Sequence, residues 1–221
     1  MDDNPSGTRF ADLPASLPVF PLPGVLLLPR GKLPLNVFEP RYLNMTEDAL
    51  GAGRLIGMIQ PRRADDRADA PELYQIGCAG RITQFAETDD GRFLITLTGV
   101  CRFAVVHEIA TTRGYRRVTA DWERFAGDLA AAETLVLDRP QLLERLKRYF
   151  DAEGISADWN TIKATPDERL VTTLAMICPF KANEKQALLE AGSLAACADL
   201  LLALLDMAAA GGDRGDGDVR H

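Results

Sequence analysis

The chain has 221 residues, 47% of them hydrophobic and 26% charged, with a net charge of −7. That profile belongs to an ordinary folded protein of one large domain or two small ones. It disfavours a broad nucleic-acid-binding surface, which needs clustered Lys and Arg. The charge is uneven: residues 15–125 carry 14 Lys and Arg against 13 Asp and Glu, whereas residues 126–210 carry 8 against 13. No secretory leader is read at the start, and no run of 18 apolar residues occurs. The most apolar stretch, 194–210, carries Asp199 and Asp206 on one helical face and reads as amphipathic, so a cytoplasmic protein is expected.

The first 15 residues read as a loose arm. From residue 17 to Trp122 strand signals follow one another. Leu17-Pro-Val-Phe-Pro-Leu-Pro-Gly-Val-Leu-Leu-Leu-Pro29 is cut by prolines into short extended pieces, with Pro23-Gly24 as a tight turn. Residues 31–38 form a second strand. Pro40 opens a helix that Gly51 or Gly53 ends, with Leu43, Thr46 and Leu50 as its buried stripe. Residues 55–60 are a short apolar strand, and 62–71 a charged exposed loop. Residues 74–85 alternate, Asp89-Asp90-Gly91 turns the chain, and 92–99 answer as the second arm of a hairpin. Residues 102–110 and 116–122 complete about seven short strands, which suggest a closed or nearly closed antiparallel barrel.

From Leu129 the period becomes helical. Pro140 restarts a helix with Leu142, Leu143, Leu146, Tyr149 and Phe150 on one face, closed by Gly154. Residues 158–163 form a short turn. Thr165-Pro-Asp-Glu168 reads as a capping box opening a helix through Leu170, Leu174 and Ile177 that stops near Pro179. Asn183-Glu-Lys-Gln186 is a second capping signal with Gly192 at the helix end, and Ser193 caps a last helix carrying Leu194, Leu201, Leu204 and Leu205. The Gly/Asp-rich tail, 211–221, reads as disordered. The expected division is an arm (1–15), a barrel (16–125), a helical part (126–210) and a tail, with no linker at 125–129 and hence close packing between barrel and helices.

Cys78, Cys101, Cys178 and Cys197 form no C-x-x-C pair and sit in apolar segments, as buried reduced thiols do. His107 and His221 are too few and too scattered to complete a zinc site with them. No metal or cofactor is expected.

Three groups of residues carry a family resemblance. The first is the opening 17–42, continuing through Leu43-Asn-Met-Thr-Glu-Asp-Ala-Leu50 and Leu55-Ile-Gly-Met-Ile59. The second is Ile76-Gly-Cys-Ala-Gly-Arg-Ile82 with Asp90-Gly-Arg-Phe-Leu94 and Gly99-Val-Cys-Arg-Phe103. The third is Pro166-Asp-Glu, Pro179-Phe180, Glu184-Lys-Gln186 and Leu188-Leu-Glu190. In this order they resemble the N-terminal, or substrate-binding, domain of Lon proteases, over residues 17–206. The resemblance implies an α+β fold: a PUA-like antiparallel β-barrel followed by a C-terminal α-helical bundle. It departs from full Lon proteases: no Gly-x-x-x-x-Gly-Lys-Ser/Thr phosphate loop occurs, and Ser6, Ser16, Ser156 and Ser193 lie in no motif like that of the Lon catalytic serine. The implied protein is a stand-alone, non-catalytic, ATP-independent recognition module, binding unfolded or extended polypeptide or a protein partner.

Phe38-Glu-Pro-Arg-Tyr42 is the first candidate binding patch, since Phe38, Glu39, Arg41 and Tyr42 could hold an extended peptide; the alternative is a strand-to-helix corner with Arg41 paired to a nearby acid. Arg102 and Phe103 could line the same groove, or simply start a strand. Leu26-Leu27-Leu28 is either a buried strand or an exposed apolar patch. Arg62-Arg63 and Arg116-Arg117 read as solvated surface, His107-Glu108 as a strand-edge pair, and Arg214-Gly-Asp216 as coincidence. RNA binding is the alternative function, by analogy of fold alone and against the charge. Self-association through the acidic helices stays open.

Overall fold

One strand organises the sheet. In the computed structural model, which describes residues 8–63, 71–130 and 135–212, β5 (Phe93–Ile109) is 17 residues long and pairs with three neighbours. Its first half lies against β2 (Lys32–Val37), its length against β4 (Ile76–Glu87), and its last residues against β6 (Arg116–Asp121). With β1 (Ser16–Pro21) and β3 (Leu55–Ile59), the order β5-β4-β3-β1-β6 closes back on β5. The result is a five-strand ring with β2 as an outer strand. Pro34 takes an edge position in β2, where a missing N–H is tolerated.

The sequence predicts two strands, 92–99 and 102–110, where the structure has one, so six strands stand among the described residues. Gly99 is the reason. It does not end the strand; it lets the 26–29 segment press onto it. A Cβ on Gly99 would lie 2.0 Å from the Leu28 carbonyl oxygen. Backbone hydrogen bonds from Arg30 N–H to the Gly99 carbonyl (2.8 Å) and from Gly99 N–H to the Gly31 carbonyl (2.9 Å) hold the approach. A register shift at Ala79/Gly80 on β4 absorbs the bend. The ring is also not wholly antiparallel. β1 and β3 run parallel, Val19 opposite Gly57, because β2 and the helix α1 (Pro40–Gly51) form a crossover between them.

Pro40 starts α1 as predicted, but the buried stripe is Tyr42, Met45, Thr46 and Ala49, with Leu43 and Leu50 only half-buried. The helix is rotated so that the Tyr42 ring packs on Phe20, centroids 4.1 Å apart. Within the described part of the expected arm, residues 9–12 are exposed, while Thr8 and Pro14 anchor it to the ring. Thr8 is buried, Arg81 donates to its hydroxyl (2.9 Å), and Trp122 donates its indole N–H to the Pro14 carbonyl (3.0 Å).

A 3₁₀ segment, Glu123–Leu129, leads from the ring to α2 (Arg139–Glu153), α3 (Trp159–Ala164), α4 (Asp167–Ile177), α5 (Ala182–Glu190) and α6 (Leu194–Gly212). Residues 135–138 are irregular, so the helical run expected from Leu129 does not form over them; α2 begins beside Pro140 and ends on left-handed Gly154 (φ 66°). The capping box at Thr165 is absent: the Thr165 hydroxyl donates back to the Thr161 carbonyl, and Pro166 occupies the cap position. The second cap shifts by two residues, with Glu184 accepting from the Lys181 N–H (2.8 Å), and α5 ends at Glu190 rather than Gly192. Ser193 caps α6 as expected, accepting from the Ala196 N–H (3.1 Å). Ile177 closes α4 with its side chain 64% exposed instead of in the core. Residues 1–7 of the expected arm, most of the 62–71 loop and residues 213–221 of the tail, with Arg214-Gly-Asp216, lie outside the described residues.

Candidate functional site

Four of the eight sequence-predicted contact residues face inward. Leu26 and Leu27 are 2% and 1% exposed, so the apolar triplet belongs to the core, though as an irregular segment and not a strand. Phe103 is fully buried against the bare backbones of Gly57 and Gly77, its ring 5.7 Å from Trp122. Tyr42 is buried on Phe20. For each the structure selects the buried alternative, because local sequence shows aromatic and apolar character but not which layer will cover it. Phe38, Glu39 and Arg41 do form a surface corner. Phe38 is 62% exposed, Arg41 pairs with Glu39 (2.8 Å), and its guanidinium lies over the Tyr42 ring at 4.7 Å. Glu39 makes no side-chain cap bond.

Arg102 lies far from that corner in role: it stands at the junction of ring and helices. Its guanidinium forks onto Asp128 through Nε (2.9 Å) and Nη2 (2.8 Å), and its backbone N–H donates to the same carboxylate (2.9 Å). Its Nη1 reaches the last carbonyls of α5, at Leu189 (3.1 Å) and Ala191 (2.5 Å), where a cation complements the helix end. A second tie is an amide pair: Gln60 donates to the Ala182 carbonyl (3.0 Å) and to Gln186 Oε1 (3.2 Å), while Gln186 donates to the Ile76 carbonyl (3.0 Å). A third is the buried Lys185 ammonium, which donates to the Gly24 carbonyl (2.9 Å) and to the Met176 carbonyl at the end of α4 (3.0 Å). Burial lowers its pKa. The sequence reading does not single out Asp128 or Gln60, and it places Lys185 and Gln186 in a capping signal and in the family resemblance, not at a junction. Their partners are remote in sequence: Asp128 lies 26 residues from Arg102, Gln60 lies 126 from Gln186, and Lys185 lies 161 from Gly24.

Beside Arg102 the junction opens into a cavity of about 300 Å³. Arg30, Arg102 and Arg124 enter its lining with Asp128 and Glu168, and Phe125, Leu188 and Leu194 give it apolar walls. Arg30 pairs with Glu168 (2.8 Å) and donates to the Ala130 carbonyl (2.5 Å). A second, shallower groove of about 500 Å³ runs over the outer strands past Leu35, Phe85 and Leu94, the last two 41% and 46% exposed.

The thiols are chemically quiet. Burial pushes Cys101 and Cys178 up to about 12 and Cys197 to about 11, and moves Cys78 in the same direction. His107 shares a hydrogen bond with Thr119 (3.1 Å), and Glu108 pairs instead with Arg116. Among the described residues no group of three His, Cys, Asp or Glu side chains is placed to hold a metal ion, and no helix is long and apolar enough to cross a membrane.

A strand ring closed on one long strand and buttressed by helices is the architecture of Lon N-terminal domains. The crystal structure of a Lon N-terminal domain protein from Xanthomonas campestris aligns at a TM-score of 0.59 and 23% identity, covering 85% of this chain and 97% of that one. The N-terminal domain of Lon protease from the Mycobacterium avium complex aligns at 0.55 and 16%, covering 86% and 98%. The family model of the ATP-dependent protease La (LON) substrate-binding domain matches residues 16–207, and the chain belongs to this family. Lon protease of Anaeromyxobacter dehalogenans is 26% identical over 197 residues, and Lon protease 2 of Myxococcus xanthus 27% over 198. The match takes in 88% of this chain but only 23% and 24% of those proteins, so the chain spans about a quarter of their length.

Proposed function

We propose that this chain recognises polypeptide segments, without chemistry of its own and without ATP, either presenting them to a separate protease or acting as an adaptor. The observation that carries the reading is the match of residues 16–207 to a substrate-binding domain. Physical features agree with it. The apolar groove past Phe85 and Leu94 and the junction cavity offer concave surface for side chains of an extended chain. The exposed Phe38–Arg41 corner is a third contact surface within the same reading. RNA is disfavoured because five surface guanidinium groups are committed to acids: Arg41 to Glu39, Arg62 to Glu72, Arg92 to Asp90, Arg113 to Glu47 and Asp48, and Arg116 to Glu108. Phosphate would have to displace these carboxylates.

The test is fluorescence anisotropy of the purified chain with a labelled, permanently unfolded polypeptide and a labelled RNA oligomer, with and without ATP. Saturable, ATP-independent binding of the polypeptide and none of RNA is expected. Silence with the polypeptide sinks generic recognition; binding of RNA alone replaces it with the nucleic-acid reading.

A further inference from the structure

The junction cavity is lined by charged side chains as well as apolar ones. Among the described residues, three guanidinium groups, Arg30, Arg102 and Arg124, line it against two carboxylates, Asp128 and Glu168. One positive charge is left over, in a chain whose net charge is −7. The group that supplies it can be named. Arg102 is satisfied by Asp128 and the α5 carbonyls, and Arg30 by Glu168 and the Ala130 carbonyl. Arg124 has no carboxylate partner among the described residues; its guanidinium lies 5.3 Å from the Phe125 ring centroid, and Arg102 lies 4.8 Å from the same ring. Phe125 thus stands between a neutralised guanidinium and a free one.

The placement of Arg30 points the same way. Its backbone is left-handed (φ 63°), a conformation that favours glycine and is strained for other residues. Two backbone hydrogen bonds beside Gly99 hold it, and they deliver the side chain to the cavity. Phe125, Leu188 and Leu194 give the space apolar walls, and Arg124, solvent-exposed in the lining, is accessible to an incoming anion. A volume near 300 Å³ is the lower end of ligand pockets and suits one or two side chains.

We infer that this cavity binds a single carboxylate flanked by apolar groups on a polypeptide, with Arg124 as its counter-ion and Phe125, Leu188 and Leu194 packing the apolar part. The inference rests on the polypeptide-recognition reading and narrows its substrate class. The carboxylate has two sources, a chain terminus or an Asp or Glu side chain, and both present the same planar anion to a guanidinium fork.

Four labelled peptides of one apolar sequence separate the outcomes: a free C-terminal acid, its amide, the amide with one internal Glu, and the amide with Gln at that site. Binding to the full chain is followed by anisotropy at low and at physiological salt. At least one carboxylate peptide is expected to bind about tenfold more tightly than its neutral counterpart, the size of one well-placed charged hydrogen bond. The acid–amide pair and the Glu–Gln pair report which source is used. Arg124→Ala should abolish the preference while leaving the neutral peptides unchanged. Arg148→Ala, at an arginine exposed on α2, should leave it intact. Glu168→Gln should raise affinity for the carboxylate peptides by releasing Arg30. Equal binding of charged and neutral peptides, or a preference that survives Arg124→Ala, overturns the inference and spares polypeptide recognition. Failure of all four peptides and of the unfolded polypeptide removes both.

Discussion

Arg102 joins three elements through one side chain: β5, on which it sits, the 3₁₀ segment through Asp128, and the end of α5 through two carbonyls. Both partners of the pair are largely buried, with 13% and 9% of their side chains exposed. Removing one member therefore leaves an uncompensated charge as well as orphaned acceptors. Arg102→Met is expected to destabilise the chain by about 3 kcal/mol, and Asp128→Asn by a similar amount. In a double-mutant cycle by urea unfolding, the two losses should be far from additive. The thiols give a second prediction at this scale. A thiol held above its ordinary value of 9 in the folded chain ionises first in the unfolded chain. Its contribution is intact below pH 9 and is lost as pH rises through the folded values of about 11 and 12. The melting temperature should fall through that window. Replacing Cys197, Cys101 and Cys178 with alanine should flatten the alkaline decline while lowering stability at neutral pH through lost packing.

At the scale of elements, the contrast between two glycines shows what the sequence could and could not disclose. Gly51 near the end of α1 has open space around its missing Cβ, whereas Gly99 has the Leu28 carbonyl there. Gly51→Ala should be stabilising by about 0.5 kcal/mol, from helix propensity alone. Gly99→Ala should cost about 3 kcal/mol or more, because backbone must move and β5 loses its bend; thermal unfolding of the two variants checks the pair. From sequence, both glycines read as ends of elements, and only the first is one. The same limit explains the rest. Alternating residues, prolines and Ser193 located most strands, the start of α1 and the cap of α6, because those signals are local. The continuity of β5, the parallel β1–β3 pairing and the burial of Leu26, Leu27, Tyr42 and Phe103 depend on which distant segment arrives to cover them. The candidate site was the least legible part. In sequence Arg102 reads as a groove residue or a strand start, and no local pattern links it to Asp128 or links Gln60 to Gln186.

At the scale of the whole molecule, the ring and the helices are tied by contacts of three chemical kinds: the Arg102 guanidinium on the carbonyls at the end of α5, an amide pair at Gln60, and a buried ammonium at Lys185. Each would strand a buried polar group if the two parts separated without unfolding, so separation should cost nearly as much as unfolding. The two tryptophans make this testable, since Trp122 follows β6 in the ring, packed on Phe103, and Trp159 opens α3, packed on Phe150. In Trp159→Phe and Trp122→Phe variants, each remaining indole reports one part. The urea midpoints of the two variants are expected to coincide once each is corrected for its own small loss of stability. An earlier transition reported by Trp159 would mean that the helices come away while the ring persists. Adding Arg102→Met to both backgrounds sharpens the distinction. If ring and helices unfold as one unit, both midpoints fall together; if they are separable, the Trp159 transition moves further than that of Trp122.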